Sequence, residues 1–362
     1  MPLPRLLWDW GTAYDLFVSL DVLHNPAEYG LRSAWAAGVR ARLPAAMRET
    51  LEQSLSLFHL PVHWVHVLPE PKDTATVLWH LGQIPPADRL AALMLAPEMV
   101  PEMREVLRGV AARRAWDERD KQVLQSVVAR TEEKECWSSP QAVTHILEWW
   151  ARPEEFGERY LEALHAYQES FFADEEKRIR PALQDALARA QALAERLALP
   201  DLVEELSKGL RFVKLPAVAE LVLAPSYWCT PLMFMGKASA EREVWLFGAR
   251  PPEASLVPGE VVPDALLQTL KALSDPTRLR ILRYLSEEPL TPAQLSRRLR
   301  LRAPTVTHHL KVLRLAGLVQ LRLGEGKGTE REPYAARLGA VAAAFASLSG
   351  FLGESEDGPP PP

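Results

Sequence analysis

Apolar positions along the first 250 residues recur mostly at helical spacing. Residues 9–22 read as a first helix. Phe156, Tyr160, Leu164, Tyr167 and Phe171 mark one face of a later one. An Ala/Leu/Arg/Glu-rich stretch continues past Pro181, where a helix is expected to begin or kink. Residues 61–68 (PVHWVHVL) alternate instead, which predicts a strand. Three further apolar runs, AELVLAPS, TPLMFMGK and EREVWLFGAR, are interrupted by Pro225, Gly236 and charged residues, and predict a small antiparallel sheet. Residues 248–263 then hold Pro251, Pro252, Pro258 and Pro263 with neither period, as a linker does. The expected fold class is mainly α with small β. Residues 1–250 form a mostly helical body with that small sheet, 251–263 a proline-rich linker, 264–352 a second domain, and 353–362 an acidic, proline-ending tail expected to be disordered.

Within 264–352 the local signals agree. A helix covers residues 265–273. In SDPTRLRILRYL, Asp275 is placed to cap the next helix and Pro276 takes its first position, with Leu279, Ile281, Leu282 and Leu285 as apolar face. Thr291, Pro292 and Gln294 then write a capping box. After residues 300–302, Pro304 opens PTVTHHLKVLRLA, which ends at Gly317. Two alternating runs flank a turn with Gly324, Gly326 and Gly328, a β-hairpin, and an Ala-rich helix at 335–348 follows. Helix, helix, turn, helix, two-stranded wing and helix is a winged helix-turn-helix.

Charge then changes the picture. The whole chain carries −5, which argues against a nucleic-acid binder. Divided at the linker, the body carries −9, residues 264–352 carry +7 and the tail −3. The basic excess therefore coincides with the winged helix. All 11 tryptophans lie before the linker.

The second helix of such a pair fits the major groove with its first turns on base edges, while a basic wing reaches alongside. Thr305, Thr307 and His308 are the expected base-reading groups, with Pro304 opening the helix and His309 beside the backbone or a base. Arg297, Arg298, Arg302, Lys311, Arg314, Lys327 and Arg331 supply charge suited to phosphates. Val306, Leu310 and Leu313 form the buried stripe.

ALSDPTRLRILRYL and APTVTHHLKVLRLAGLV together resemble the ArsR-type winged-helix transcriptional regulators, over about 80 of the 362 residues. The resemblance implies a homodimer on double-stranded DNA with an inverted-repeat operator, usually repressing, paired through the helices at 265–273 and 335–348. Metal-sensing members carry a Cys-x-Cys pair where this chain has PLTPAQL, without Cys, His or acid. AYDLFVSLDVLHNPAEYGL and LVLAPSYWCTP resemble a poorly understood domain that precedes the same module in other long bacterial regulators; that likeness implies no ligand.

Other chemistry leaves little trace. GxSxG, HExxH, Walker and GxGxxG motifs are lacking, and GEGKG sits on the wing, so no enzyme and no cofactor are expected. Cys136 and Cys229 lie far apart with no CxxC or Cys/His cluster. His59, His63 and His66 are suggestively spaced, yet a strand places His63 and His66 on opposite faces; a metal-responsive regulator with such His ligands is the alternative, as is an enzymatic body. The tryptophans suit either a core or an aromatic effector pocket, so a small-molecule effector or a protein partner of the body is an open expectation. No apolar run approaches about 18 residues. The opening MPLPRLLWDWGT lacks the form of a secretory signal, and the chain reads as cytoplasmic, without membrane contact.

Overall fold

The computed structural model describes residues 3–31, 33–58, 60–130, 140–254, 262–324 and 332–353. His59, Cys136, Trp137, Lys327, Arg331 and the tail from 354 lie outside them.

The body starts with a short strand, β1 (Arg5–Trp8), followed by α1 (Thr12–His24). That helix is buried at every position from Thr12 to Leu23, so it runs through the centre of the body rather than along its surface. A 3-10 turn (Pro26–Tyr29) leads to α2 (Ser33–Arg40), α3 (Ala45–Ser54) and α4 (Val62–His66). The stretch expected as a strand at 61–68 is thus a short helix. Its backbone turns at Pro61, whose carbonyl accepts the Trp64 and Val65 amides. The alternation of the sequence is real, but tertiary contacts decide the backbone: Val62 and Val65 face the core.

Helices α5 (Thr74–Gln83), α6 (Pro86–Met94), α7 (Pro101–Arg113), α8 (Glu118–Arg130) and α9 (Pro140–Trp150) follow. Asp73 caps α5, accepting the Thr76 amide at 2.9 Å. The aromatic stripe lies on α10 (Pro153–Tyr167), where Phe156, Tyr160, Leu164 and Tyr167 are all buried. Gly157 is the point of closest approach to α6, since a Cβ there would sit 2.0 Å from the Pro86 carbonyl oxygen. A π-helical turn (Gln168–Phe172) joins α10 to α11 (Ala173–Ala194), which carries Pro181 in its interior, and α12 (Leu199–Leu206) completes the helical part.

The remaining strands of the body are β2 (Leu210–Phe212), β3 (Glu220–Ser226), β4 (Phe234–Lys237) and β5 (Arg242–Gly248). The expected small sheet exists but is mixed rather than wholly antiparallel. Its order is β1-β3-β5-β4, with β1, β3 and β5 parallel and only β4 antiparallel to β5. The reason is the crossover: β1 and β3 are separated by nearly all the helices, and parallel neighbours require such a long connection. Burial of Leu221 through Ser226 fits a central parallel strand.

The second domain comprises α13 (Asp264–Leu273), α14 (Pro276–Glu287), α15 (Pro292–Leu299), α16 (Ala303–Leu315), the strands β6 (Val319–Leu323) and β7 (Tyr334–Ala336), and α17 (Leu338–Phe351). It encloses its own apolar core, including Ile281, Leu285, Leu295, Val306, Leu310 and Leu313. The last helix begins three residues later than expected because residues 334–336 pair with β6 as the second wing strand. One pairing crosses between the domains. The body's β2 lies parallel to β6, matching Leu210, Arg211 and Phe212 with Leu321, Arg322 and Leu323, so the wing sheet has three strands in the order β2-β6-β7. No helix among the described residues is long and apolar enough to cross a membrane.

Candidate nucleic-acid interface

The caps set the geometry of the helical pair. Asp275 accepts the Thr277 and Arg278 amides at 2.8 and 3.0 Å, fixing the start of α14. Those same amide bonds, Arg278 first, hold the Asp275 carboxyl below its ordinary value. The capping box at α15 is complete: Gln294 N–H donates to Thr291 Oγ1 at 3.3 Å, and Thr291 N–H to Gln294 Oε1 at 2.8 Å. Arg300 turns the chain in the left-handed conformation (φ 56°) between α15 and α16.

On α16 the buried stripe is Val306, Leu310 and Leu313. Arg302, Pro304, Thr305 and His308 are exposed, and Thr307 is half-buried beside them. The two histidines diverge as adjacent helical positions must. His308 faces out, whereas His309 is half-buried with Nδ1 unpartnered, and burial pushes its imidazole below the usual value. Arg302 provides no side-chain cap, so the first amides of α16 remain directed at whatever approaches that end. Arg297 is exposed on the last turn of α15. Its neighbour Arg298 is held in place, donating from Nη2 to Glu288 Oε1 at 2.6 Å and lying over the Tyr284 ring.

Two basic residues are not where the sequence reading put them. Arg314 is only 9% exposed, and donates from Nη1 and Nη2 to the carbonyls of Lys208 and Ser207 at 3.2 and 3.1 Å. It fastens α16 to the body and is no surface cation. Its guanidinium is lowered to about 10, by burial first and then by Arg337. Lys311 lies on the exposed side but pairs with Glu28 of the body. Lys327 and Arg331, expected on the wing tip, fall outside the described residues.

Between Glu28 and Lys311 a cavity of about 560 Å³ opens along the seam of the two domains. The body contributes Asp21, Tyr29 and Phe234, and α16 contributes Arg314 and Leu315. Tyr29 and Phe234 stack at 6.3 Å, giving the cavity an aromatic wall. No tryptophan among the described residues lines it. Trp149, Trp150, Trp228 and Trp245 are buried in the body core, and Trp35 stacks on Trp228. Cys229 is also buried, which pushes its thiol up.

The body holds a buried polar cluster around Asp9 that no motif announced. Asp9 Oδ2 accepts from Tyr14 Oη at 2.8 Å, lies 2.9 Å from His66 Nδ1, and pairs with buried Lys72. Burial alone raises the Asp9 carboxyl, but the bonds from His66, Lys72 and Tyr14 outweigh it and hold the group low. His63 is engaged elsewhere, 3.0 Å from the Ala92 carbonyl oxygen. The two histidines thus have separate partners rather than a shared centre.

These features place the C-terminal part of the chain among helix-turn-helix domains. Residues 273–322 match the family model described as "Helix-turn-helix domain". The chain is also similar to an uncharacterized HTH-type transcriptional regulator of Methanocaldococcus jannaschii, 39% identical over 56 residues. That match spans 15% of this chain and 63% of the relative.

Proposed function

We propose that this protein is a sequence-specific, DNA-binding transcriptional regulator of ArsR-like type, acting in the cytoplasm as a homodimer on an inverted-repeat operator. The observation that carries the DNA-binding part is the recognition helix. It presents Thr305, Thr307 and His308 on one outward face, flanked by exposed Arg302 and Arg297, with an uncapped N-terminus. In this reading Thr305, Thr307 and His308 read base edges, with Pro304 shaping the entry to the groove. Arg297, Arg298, Arg302, Lys327 and Arg331 serve the phosphates, Lys311 holds the helix to the body through Glu28, and His309 supports the helix from within.

Dimerisation is supported by α17, which is apolar around its circumference yet contains no buried residue. A second copy is the partner that the resemblance implies for it. Repression is the usual output of such regulators. The body acts as a sensor rather than an enzyme, and the 560 Å³ cavity is suited to an effector because both domains line it. A ligand there changes the Glu28–Lys311 contact directly.

The test is fluorescence anisotropy of the full-length protein on duplex DNA at several salt concentrations. Arg302→Ala is expected to lower the slope of log affinity against log salt by about 0.9. His308→Ala is expected to cost about 1–3 kcal/mol on the preferred operator and to relax base preference at one position. Affinity independent of salt, or equal losses on all sequences for His308→Ala, would refute the reading.

A further inference from the structure

A second, smaller cavity lies on the same seam, and none of the proposed base-reading residues lines it. It measures about 70 Å³ and is lined from the body by Lys208, Thr230 and Arg250, and from the second domain by Gln268, Thr269 and Gly317. Arg250 is 8% exposed. Its Nη2 donates to the Thr230 carbonyl at 3.1 Å, but Nη1 is buried without any partner. A buried, unsatisfied guanidinium nitrogen is costly and calls for an ion or water.

The second cation sharpens the choice between those two. Lys208 holds a left-handed backbone conformation (φ 51°), and its side chain forms no ion pair with a described residue. Burial lowers its ammonium, and the Arg250 charge lowers it further. Arg337 adds a third positive charge, donating to the Lys208 and Gly317 carbonyls at 3.1 and 3.0 Å. Asp264 is near enough to favour the charged form of Arg250, yet it does not pair with Nη1. Thr230 Oγ1 accepts the Arg250 amide at 3.1 Å, which leaves its own hydrogen available as a donor. Two cations and a hydroxyl around a space the size of about two waters fit a tetrahedral oxyanion better than neutral water.

We propose that Lys208, Thr230 and Arg250 form a binding site for one small oxyanion of the phosphate or sulfate class, and that its occupancy fastens the winged helix to the body. The anion neutralises the cations at the point where β2, Arg314 and Arg337 already join the two domains. Its regulatory consequence rests on the proposed function above. Its binding does not, and is measured without DNA.

The experiment titrates inorganic phosphate into the full-length protein by calorimetry, alongside thermal unfolding in phosphate and in sodium chloride of equal ionic strength. One phosphate per chain is expected, with a saturable rise in the unfolding midpoint that chloride does not reproduce. Lys208→Gln is expected to weaken phosphate binding at least tenfold while keeping its midpoint in chloride. Arg250→Gln should abolish binding, and if that variant fails to fold, the Lys208→Gln titration alone decides between the outcomes. Saturating phosphate should also slow hydrogen exchange of the Leu321 amide, which donates to Gly209 across the domains at 2.8 Å. A midpoint that follows ionic strength alone, unaltered binding in Lys208→Gln, or unchanged exchange at Leu321 would overturn the proposal.

Discussion

Arg314 shows how a single residue changes role once its surroundings are known. In sequence it is one more cation on a basic helix. It also stands four positions after Leu310 and next to Leu313, at the margin of the buried stripe, and that spacing was the available sign of burial. Arg314→Ala strips the Ser207 carbonyl of its donor and leaves the Lys208 carbonyl to Arg337 alone. It is expected to destabilise the chain by about 2–4 kcal/mol in denaturant unfolding while leaving the salt slope of DNA binding unchanged. A reduced salt slope would return Arg314 to the phosphate contacts. Asp15 is a second buried group with a measurable signature. Its Oδ1 accepts from Ser226 Oγ and the Trp228 amide at 2.7 and 2.9 Å, while Oδ2 has no partner. Burial raises its carboxyl from 3.8 to about 7, against the opposing effect of those bonds. The folded state therefore holds this proton where the unfolded state has released it. The stabilisation is complete below about pH 4 and is lost as pH rises through about 7. Asp15→Asn should remove that dependence, so the stability of the native chain relative to the variant should fall from pH 4 to 7. Parallel stability curves would show that Asp15 does not titrate there.

At the scale of elements, legibility followed the range of the interactions. The helical pair could be read because its determinants are local: Asp275, Thr291 and Gln294 cap the helices that their own neighbours form. The wing strands were legible from alternation and glycines for the same reason. β2 was not, since three residues pairing in parallel with a strand more than a hundred positions later leave no local period. The sheet's direction was missed likewise, because β1 carries only four residues and its partner follows the whole helical region. Residues 61–68 misled in the other direction, their alternation overridden by packing of Val62 and Val65. The unannounced β2–β6 pairing has a testable hinge in Gly209, at φ 109°, where a Cβ would lie 2.9 Å from Arg337 Cδ and 3.2 Å from the Val319 carbonyl oxygen. Gly209→Ala is expected to cost about 1–3 kcal/mol and to speed hydrogen exchange in β6 more than in α1. Equal exchange in both elements would mean that the pairing does not hold the domains together.

For the whole molecule, the division of charge along the chain acquires a spatial meaning. The acidic body meets the basic domain through Glu28 and Lys311, at the C-terminal half of the recognition helix. Thr305 and His308, in the N-terminal half, stay exposed. In the proposed reading a duplex is steered toward that half, away from the body's negative field. In the proposed dimer two such halves are held apart at a fixed distance to meet an inverted repeat, and α17 is the element available for this. Leu338, Phe345, Phe351 and Leu352 are 61, 57, 40 and 66% exposed, an apolar surface that water disfavours and a second copy would cover. Phe345→Asp adds a charge to that surface without opening a cavity, so the fold should persist by circular dichroism. Sedimentation of the native chain is expected to give twice the monomer mass, and of the variant the monomer mass. The variant should lose more affinity for the full inverted repeat than for a half-site, because only the full site rewards two linked recognition helices. A variant that sediments like the native chain, or loses equally on both DNAs, would move the dimer interface away from α17.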